Sequence, residues 1–397
     1  MAQAVINPRI RGFICTTAHP EGCAVNVRRQ IALAEQAGLS GKVGNALVIG
    51  SSAGYGLSSL ITLAFGLKAK VLGCCFERPG KEAKAGSAGF YNLAEVHRQA
   101  KARGLTVETL NGDAFAAAGK EAAIAALKTR FGKVDYVVYS VATPRRTDPV
   151  DGQTYTSVLK PIGAPYSAKT IDLDTDEVKD LTITPANDDE IKATTKVMGG
   201  DDWQMWIQAL LDADLLAPGC RTVAYSYIGP KITHAVYRAG TIGRAKDHLE
   251  STAHKLDALL QQKVGGHAWV SVNKALVTQA SSAIPVVTLY ISLLYKVMKE
   301  QGTHEGTIEQ MIRLWKDHLG PGKTPGVDDH GRIRIDDLEM AAKVQAETDA
   351  LWNRVDTGNL KSISDYEGFK REFRSLFGFE VDGVDYGAAV EVEAALA

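Results

Sequence analysis

Ala46-Leu-Val-Ile49 runs into the turn Gly50-Ser51-Ser52-Ala53-Gly54-Tyr55-Gly56, then into an apolar segment from Leu57 to Phe65 that stops at Gly66. A buried strand, a glycine turn and a helix in that order open a βαβ unit. Glycines at such a junction let the backbone approach a pyrophosphate, whose charge is stabilised by the amides and dipole of the helix N-terminus. Three more β-rich runs follow, Lys70 to Phe76, Leu105 to Leu110 and Val134 to Ser140, each leading into a helix-like segment or a turn. Asn92-x-x-Glu95 reads as the start of the helix between the second and third strands. Leu93, Val96 and Ala100 form its inward stripe and Gly104 its stop. The expected fold is α/β, a Rossmann-type doubly wound parallel sheet.

Ligands of open α/β sheets bind at the carboxyl ends of the strands, so the residues there are the candidates for a dinucleotide site. The glycine spacing, Gly-x3-Gly-x-Gly, is the short-chain dehydrogenase form, and Gly50, Ser51, Ser52, Ala53, Gly54 and Tyr55 are expected around the phosphates. The second strand ends in Phe76-Glu77, about 20 residues on, where a carboxylate accepts from the adenosine 2′-hydroxyl and repels a 2′-phosphate. NADH is therefore expected over NADPH, with Arg78 next door as a counterweight. Asp113 and Ala114 close the third strand at the adenine edge, and Val141 and Ala142 follow the fourth along the ribose and nicotinamide.

Beyond Thr143 the alternation breaks into a polar stretch, about 144–187, rich in Thr, Asp, Lys and Pro, with a β-like piece at Leu181 to Thr184. It reads as an inserted hairpin or flap. Asn187-x-x-Glu190 opens a helix, and Trp203, Trp206, Ile207, Leu210 and Leu211 recur at helical spacing as core residues. Thr222 to Ile228 and Val270 to Val277 give two further strands around a helix from about Gly243 to Gln262, for at least six strands. The remainder, helical at Glu300 to Leu319 and Leu338 to Val355 and continuing through Phe373 to Tyr386, is expected to be a cap. The chain is thus read as one domain, 1–397: a Rossmann core at 45–285 and a helical C-terminal cap at 286–397 packed on it.

Composition narrows the function. Lys+Arg 45 against Asp+Glu 46 leaves a net charge of -1, without the basic footprint of a nucleic-acid or anionic-membrane partner. The longest apolar stretch, Ala283 to Leu294, is too short to span a bilayer, and no signal peptide is read at the N-terminus. Five cysteines, odd in number and without a CxxC pair, point to a reducing, cytoplasmic setting. Cys15-x3-His19-x3-Cys23 lacks a fourth ligand and matches no common zinc spacing, so no metal is expected.

Tyr237 and Lys246 stand in Tyr237-Arg-Ala-Gly-Thr-Ile-Gly-Arg-Ala-Lys246. A tyrosine can donate a proton or hydrogen bond to a developing oxyanion, and a lysine can hold the nicotinamide ribose while its charge favours the phenolate. With these residues on the page, the chain resembles the FabV-type trans-2-enoyl-ACP/enoyl-CoA reductases over nearly its whole length. The matching stretches include Pro8 to Cys15, Tyr139-Ser140 with Pro144 to Thr147, Leu159 to Gly163, Val197 to Gly200, Val277 to Pro285, Lys296 to Glu300 and Leu376 to Phe379. That family is an enlarged relative of the short-chain dehydrogenases with a widened Tyr-x8-Lys pair. The resemblance implies that Tyr237 is the proton donor, that Lys246 binds NAD, that Tyr227 contacts substrate, and that Leu276, Val277 and Thr278 form a further NAD loop. It also implies NADH-dependent reduction of the C2=C3 bond of a trans-2-enoyl thioester, the last step of a fatty-acid elongation cycle, by a monomer. One departure stands out: the phosphate turn commonly reads Gly-Ala-Ser-Thr-Gly-Tyr-Gly, and this chain keeps its three glycines but not its middle.

Two other readings compete. Carbonyl reduction by an ordinary short-chain dehydrogenase expects Tyr-x3-Lys, but position 241 is Thr241. A dinucleotide-sensing module would keep the glycine turn and Glu77 without a use for Tyr237 and Lys246. Acyl carrier protein and coenzyme A present the same phosphopantetheine arm, and the sequence leaves open which one carries the acyl group.

Overall fold

The four apolar runs become parallel strands in a computed structural model that describes residues 3–279, 281, 284 and 286–396. They are β1 (Asn45–Ile49), β2 (Lys70–Cys75), β3 (Val107–Asn111) and β4 (Val134–Tyr139). Three more follow, β5 (Leu216–Ser226), β6 (His267–Val272) and β7 (Ile333–Arg334), and the sheet order is β7-β6-β5-β4-β1-β2-β3. This is the doubly wound sheet expected, with one strand more than the six counted. Ile49 pairs with Cys74 on one side and Tyr139 on the other, so the central strands end nearly level.

Successive strand residues face opposite sides, which explains the unbroken apolar runs. Ala46, Val48, Val71 and Val138 pack beneath helices α1 (Pro20–Gln36), α2 (Gly54–Ile61) and α3 (Ala88–Ala102). Leu47, Ile49, Leu72 and Val137 pack on the other face against α4 (Ala117–Ala126), α5 being the separate helix Asp188–Met198, and against α6 (Asp201–Asp212) and α7 (Thr241–Val264). Trp203 and Trp206 of α6 are fully buried there. The polar insertion forms two hairpins, Arg145–Thr147 with Thr154–Thr156 and Tyr166–Asp172 with Glu177–Ile183. Asn187 and Glu190 cap α5 reciprocally: Glu190 N donates to Asn187 Oδ1 at 2.9 Å and Asn187 N to Glu190 Oε2 at 3.1 Å.

Several boundaries differ from expectation. Helix α3 begins four residues before Asn92, because Asn92 and Glu95 do not cap each other: Asn92 Nδ2 donates to Ser52 O at 3.1 Å, and Glu95 takes Arg28 of α1 and Arg98 one turn on in its own helix. The sixth strand ends at Val272, short of Val277: Asn273 N makes a last bond to β5, at Ser226 O, and Lys274 N then turns out of the sheet to Gln310 Oε1. The C-terminal segment is not purely helical, for it supplies β7. Its helices are α8 (Val287–Glu300), α9 (Thr307–Arg313), α10 (Ala342–Arg354) and Tyr366–Ser375, so the expected helix from Glu300 is broken at Thr303–Gly306. Ala280, Ser282, Ala283 and Pro285 of the Val277–Pro285 motif, the start of the apolar stretch among them, lie outside the described residues. Among the described residues no helix is long and apolar enough to cross a membrane.

Candidate active site

The turn after β1 opens into a cavity of about 620 Å³ at the carboxyl edge of the sheet. Gly50, Ser52, Ala53, Gly54 and Tyr55 line it with Phe76, Glu77, Asp113, Ala114, Val141, Ala142 and Thr278. Twelve residues named from the sequence thus share one wall. Ser51 does not join them: its amide and its hydroxyl both donate to Cys74 O, at 3.0 and 3.2 Å, which leaves neither for a ligand. Leu276 and Val277 line a second cavity of about 520 Å³, which meets the first at Ala53, Gly54 and Thr278.

Glu77 is held in place. Ser52 Oγ donates to its Oε1 at 2.6 Å, and Asn111 exchanges hydrogen bonds with its backbone at 2.8 and 2.7 Å. A Cβ on Gly89, in the first turn of α3, would stand 2.1 Å from that Oε1, so glycine lets the carboxylate rest against the positive end of the helix. Phe76 beside it is 80% exposed, a flat apolar face at the mouth of the cavity. In the loop after β3, Ala114 O accepts from Trp206 Nε1 at 3.1 Å and from Lys120 Nζ at 3.0 Å. Lys120 in turn pairs with buried Asp202 at 2.7 Å, which also takes Tyr139 OH at 3.1 Å. Trp206, read only as core, therefore also fixes the loop after β3. Its indole nitrogen was the available signal, because a buried N–H needs an acceptor.

Tyr237, Lys246 and Tyr227 sit at the carboxyl end of β5, the strand next to β4, but line neither cavity. Tyr237 is buried with its ring edge-on to Tyr227, centroids 4.9 Å apart, and its hydroxyl has no partner among the described residues. Burial alone pushes its phenol upward, which keeps the proton on the oxygen. The expected pull of Lys246 on this phenol is not found, because the ammonium is directed instead at Tyr225 O, 3.2 Å away. Burial lowers Lys246 to about 8, against an opposing effect of Glu250. Tyr227 OH donates to Glu339 at 3.1 Å, a residue the sequence reading passed over. Tyr55 turns its hydroxyl away from the phosphate turn, donating to Lys274 O at 2.8 Å and accepting from Gln310 at 2.9 Å. At the Cys15-His19-Cys23 stretch, His19 Nδ1 accepts from Gly22 N at the start of α1. Among the described residues no group of three or more His, Cys, Asp or Glu could hold a metal ion.

The model of the trans-2-enoyl-CoA reductase catalytic region matches residues 84–319, and that of the NAD(P)H binding domain of trans-2-enoyl-CoA reductase matches 5–82. The chain belongs to the trans-2-enoyl-CoA reductase family. Within that family it is 52% identical to a trans-2-enoyl-CoA reductase [NADH] of Ruminiclostridium cellulolyticum over 389 residues, 98% of each chain. It is 53% identical to an enoyl-[acyl-carrier-protein] reductase [NADH] of Cytophaga hutchinsonii, over 97% of each. The crystal structure of Treponema denticola trans-2-enoyl-CoA reductase in complex with NAD superposes with a TM-score of 0.94 at 45% identity, covering 99% of this chain and 100% of that one.

A third model, named enoyl reductase FAD binding domain, matches residues 327–390. The residues there do not fit a flavin. The segment's strand in the main sheet, β7, does not lead through a glycine turn into a helix N-terminus. Its buried charges are already paired within the protein: Arg332 with Asp328 and Glu250, Arg334 with Asp336, and Glu339 with two tyrosines and an amide.

Proposed function

We propose that this crevice carries out NADH-dependent reduction of the C2=C3 bond of a trans-2-enoyl thioester, with Tyr237 as the proton donor. The observation that carries the reading is the Tyr237 ring, buried edge-on to Tyr227 at the strand end beside the cofactor wall, with no hydrogen bond to its hydroxyl among the described residues. NADH, when bound, supplies the hydride that goes to C3. The C2=C3 electrons then move toward the thioester oxygen, where Tyr237 stabilises the enolate through its O–H before C2 is protonated. Lys246 holds the nicotinamide ribose. Gly50, Ser52, Ala53 and Gly54 take the phosphates on the amino end of α2, and Glu77 takes the adenosine ribose, which favours NADH over NADPH. Phe76, Asp113 and Ala114 flank the adenine, Val141 and Ala142 the nicotinamide side, and the Leu276–Thr278 loop covers the dinucleotide where the two cavities meet.

Tyr227 packs beside the donor and contacts substrate. The acyl group is presented on coenzyme A or acyl carrier protein, whose shared pantetheine arm the enzyme reads. The whole chain serves as one reductase unit, which β7 and Glu339 support by reaching back from the C-terminal segment into the core. Five free thiols, four of them buried, suit a reducing, cytoplasmic compartment.

Replacing Tyr237 by Phe tests the mechanism, because it removes one hydroxyl and keeps the ring. With crotonyl-CoA, followed by NADH absorbance, kcat is expected to fall about 10²–10³-fold while NADH binding persists. Near wild-type kcat with NADH binding intact would place the donor elsewhere.

A further inference from the structure

Glu339 lies after the last strand of the sheet and is completely buried, yet it touches both halves of the site just described. Its Oε1 accepts from Tyr227 OH at 3.1 Å and from Tyr290 OH at 2.7 Å, while its Oε2 accepts from Ala275 N at 2.6 Å. Ala275 is the residue before the Leu276–Thr278 loop. Gln345 fixes the arrangement from behind, its Nε2 donating to Glu339 O at 2.7 Å and to Tyr290 OH at 3.1 Å. A carboxylate buried only to stabilise the fold has no need of a partner beside the candidate proton donor. Here that partner is Tyr227, whose ring stands edge-on to Tyr237.

We infer that Glu339 is a positioning residue for the reaction: it engages the Tyr227 hydroxyl proton beside Tyr237 and pins the start of the cofactor loop in the same grip. The inference rests on the roles given above to Tyr237, Tyr227 and the loop. A phenol has one proton to donate. With that proton directed at Glu339, Tyr227 has none left to donate, and Tyr237 is left as the phenolic donor to the thioester oxygen. The division of labour between the two tyrosines is thus set by a residue 112 positions downstream of Tyr227.

The test is a double-mutant cycle on the full-length enzyme with crotonyl-CoA and NADH. Glu339→Gln keeps the volume but offers one acceptor oxygen where two were used, so kcat/KM is expected to fall about tenfold, with a comparable loss for Tyr227→Phe. The combined variant is expected to lose clearly less than the product of the two single losses, because Glu339 acts in part through Tyr227 and only its hold on Ala275 N is independent of that phenol. Tyr290→Phe, which leaves the Tyr227 bond in place, is expected to stay within about twofold of wild type. Losses that multiply in full, or a fully active Glu339→Gln, would overturn the inference, since a purely structural carboxylate would weaken the enzyme independently of Tyr227. Glu339→Asp, which keeps the charge but withdraws it by one methylene, takes the place of Glu339→Gln in the same cycle if that variant fails to fold. Tyr237→Phe run alongside separates the two levels of argument. Full activity there defeats the mechanism itself, whereas an impaired Tyr237→Phe with a multiplicative cycle defeats only the role of Glu339.

Discussion

Replacing Gly56 with Ala should damage cofactor binding more than it damages the fold. A Cβ at position 56 would stand 1.8 Å from the Gly50 carbonyl oxygen and 3.1 Å from Ser140 Oγ, where real Cβ atoms essentially never come within 3.0 Å of a neighbour. The obstructing atom is backbone, so no rotamer change relieves the contact, and the amino end of α2 must separate from the turn by about 1 Å. Overpacking of this kind costs about 1–3 kcal/mol. Ala gains about 1 kcal/mol over Gly inside a helix, which offsets part of it. Net stability should therefore fall by at most about 2 kcal/mol. The cofactor faces a larger loss, because the displaced amides are the ones aimed at the pyrophosphate, and each hydrogen bond to a charged group is worth about 1.5–3 kcal/mol. Losing one raises the NADH Kd by about tenfold to a hundredfold. Titration by NADH fluorescence, beside a thermal or urea unfolding curve, measures both quantities. An NADH Kd within about twofold of wild type in a folded Gly56→Ala protein would refute the assignment of this turn to the phosphates.

Glu77→Ala is expected to weaken NADH by about 1.5–3 kcal/mol and NADPH hardly at all, since only the 2′-hydroxyl loses an acceptor; an unchanged ratio of the two Kd values would remove Glu77 from the ribose site. Burial lowers Lys246 to about 8; in the proposed role of holding the ribose it acts protonated, a form present below that pH and lost above it, so kcat/KM is expected to decline as pH rises through about 8. Lys274 is also lowered to about 8 by burial. A pH profile of Lys274→Met that keeps the decline assigns it to Lys246, and one that loses it assigns it to Lys274. Trp206→Phe removes one of the donors to Ala114 O and trims a fully buried ring, with an expected loss of about 1–3 kcal/mol in urea unfolding; a change below about 0.5 kcal/mol would show that the indole does not anchor the loop after β3.

The strands of the parallel sheet and the residues gathered along the cavity wall were legible because they rest on local signals. Apolar runs of strand length, a glycine turn at a fixed place and an acidic residue at the end of the second strand are all read within a few residues of one another. Boundaries set by distant partners were not. Asn92 and Glu95 have the spacing of a capping box, yet their side chains serve Ser52 and the arginines around Glu95, so the helix begins earlier. Ser51 shares its turn with Ser52, and only the pairing of β1 with β2 decides that Cys74 O takes its hydroxyl. The two-residue strand β7 carries too few residues to show a period, and its place at the sheet edge comes from Ser271 and Val272 alongside it. Glu339 left no local trace, because a buried carboxylate is recognised by its partners, and these stand at 227, 275 and 290.

The lateness of β7 and Glu339 along the chain bears on how the enzyme comes into being on the ribosome. Synthesis runs from the amino end, and the glycine turn, Glu77, Tyr237 and Lys246 all leave the exit tunnel before residue 333 has been made. During that interval the edge of β6 is uncovered and Tyr227 has no carboxylate to turn to. A nascent chain can therefore possess every residue of the cofactor wall and still lack the geometry for turnover. With Glu339 in the role proposed for it, competence waits for the C-terminal segment.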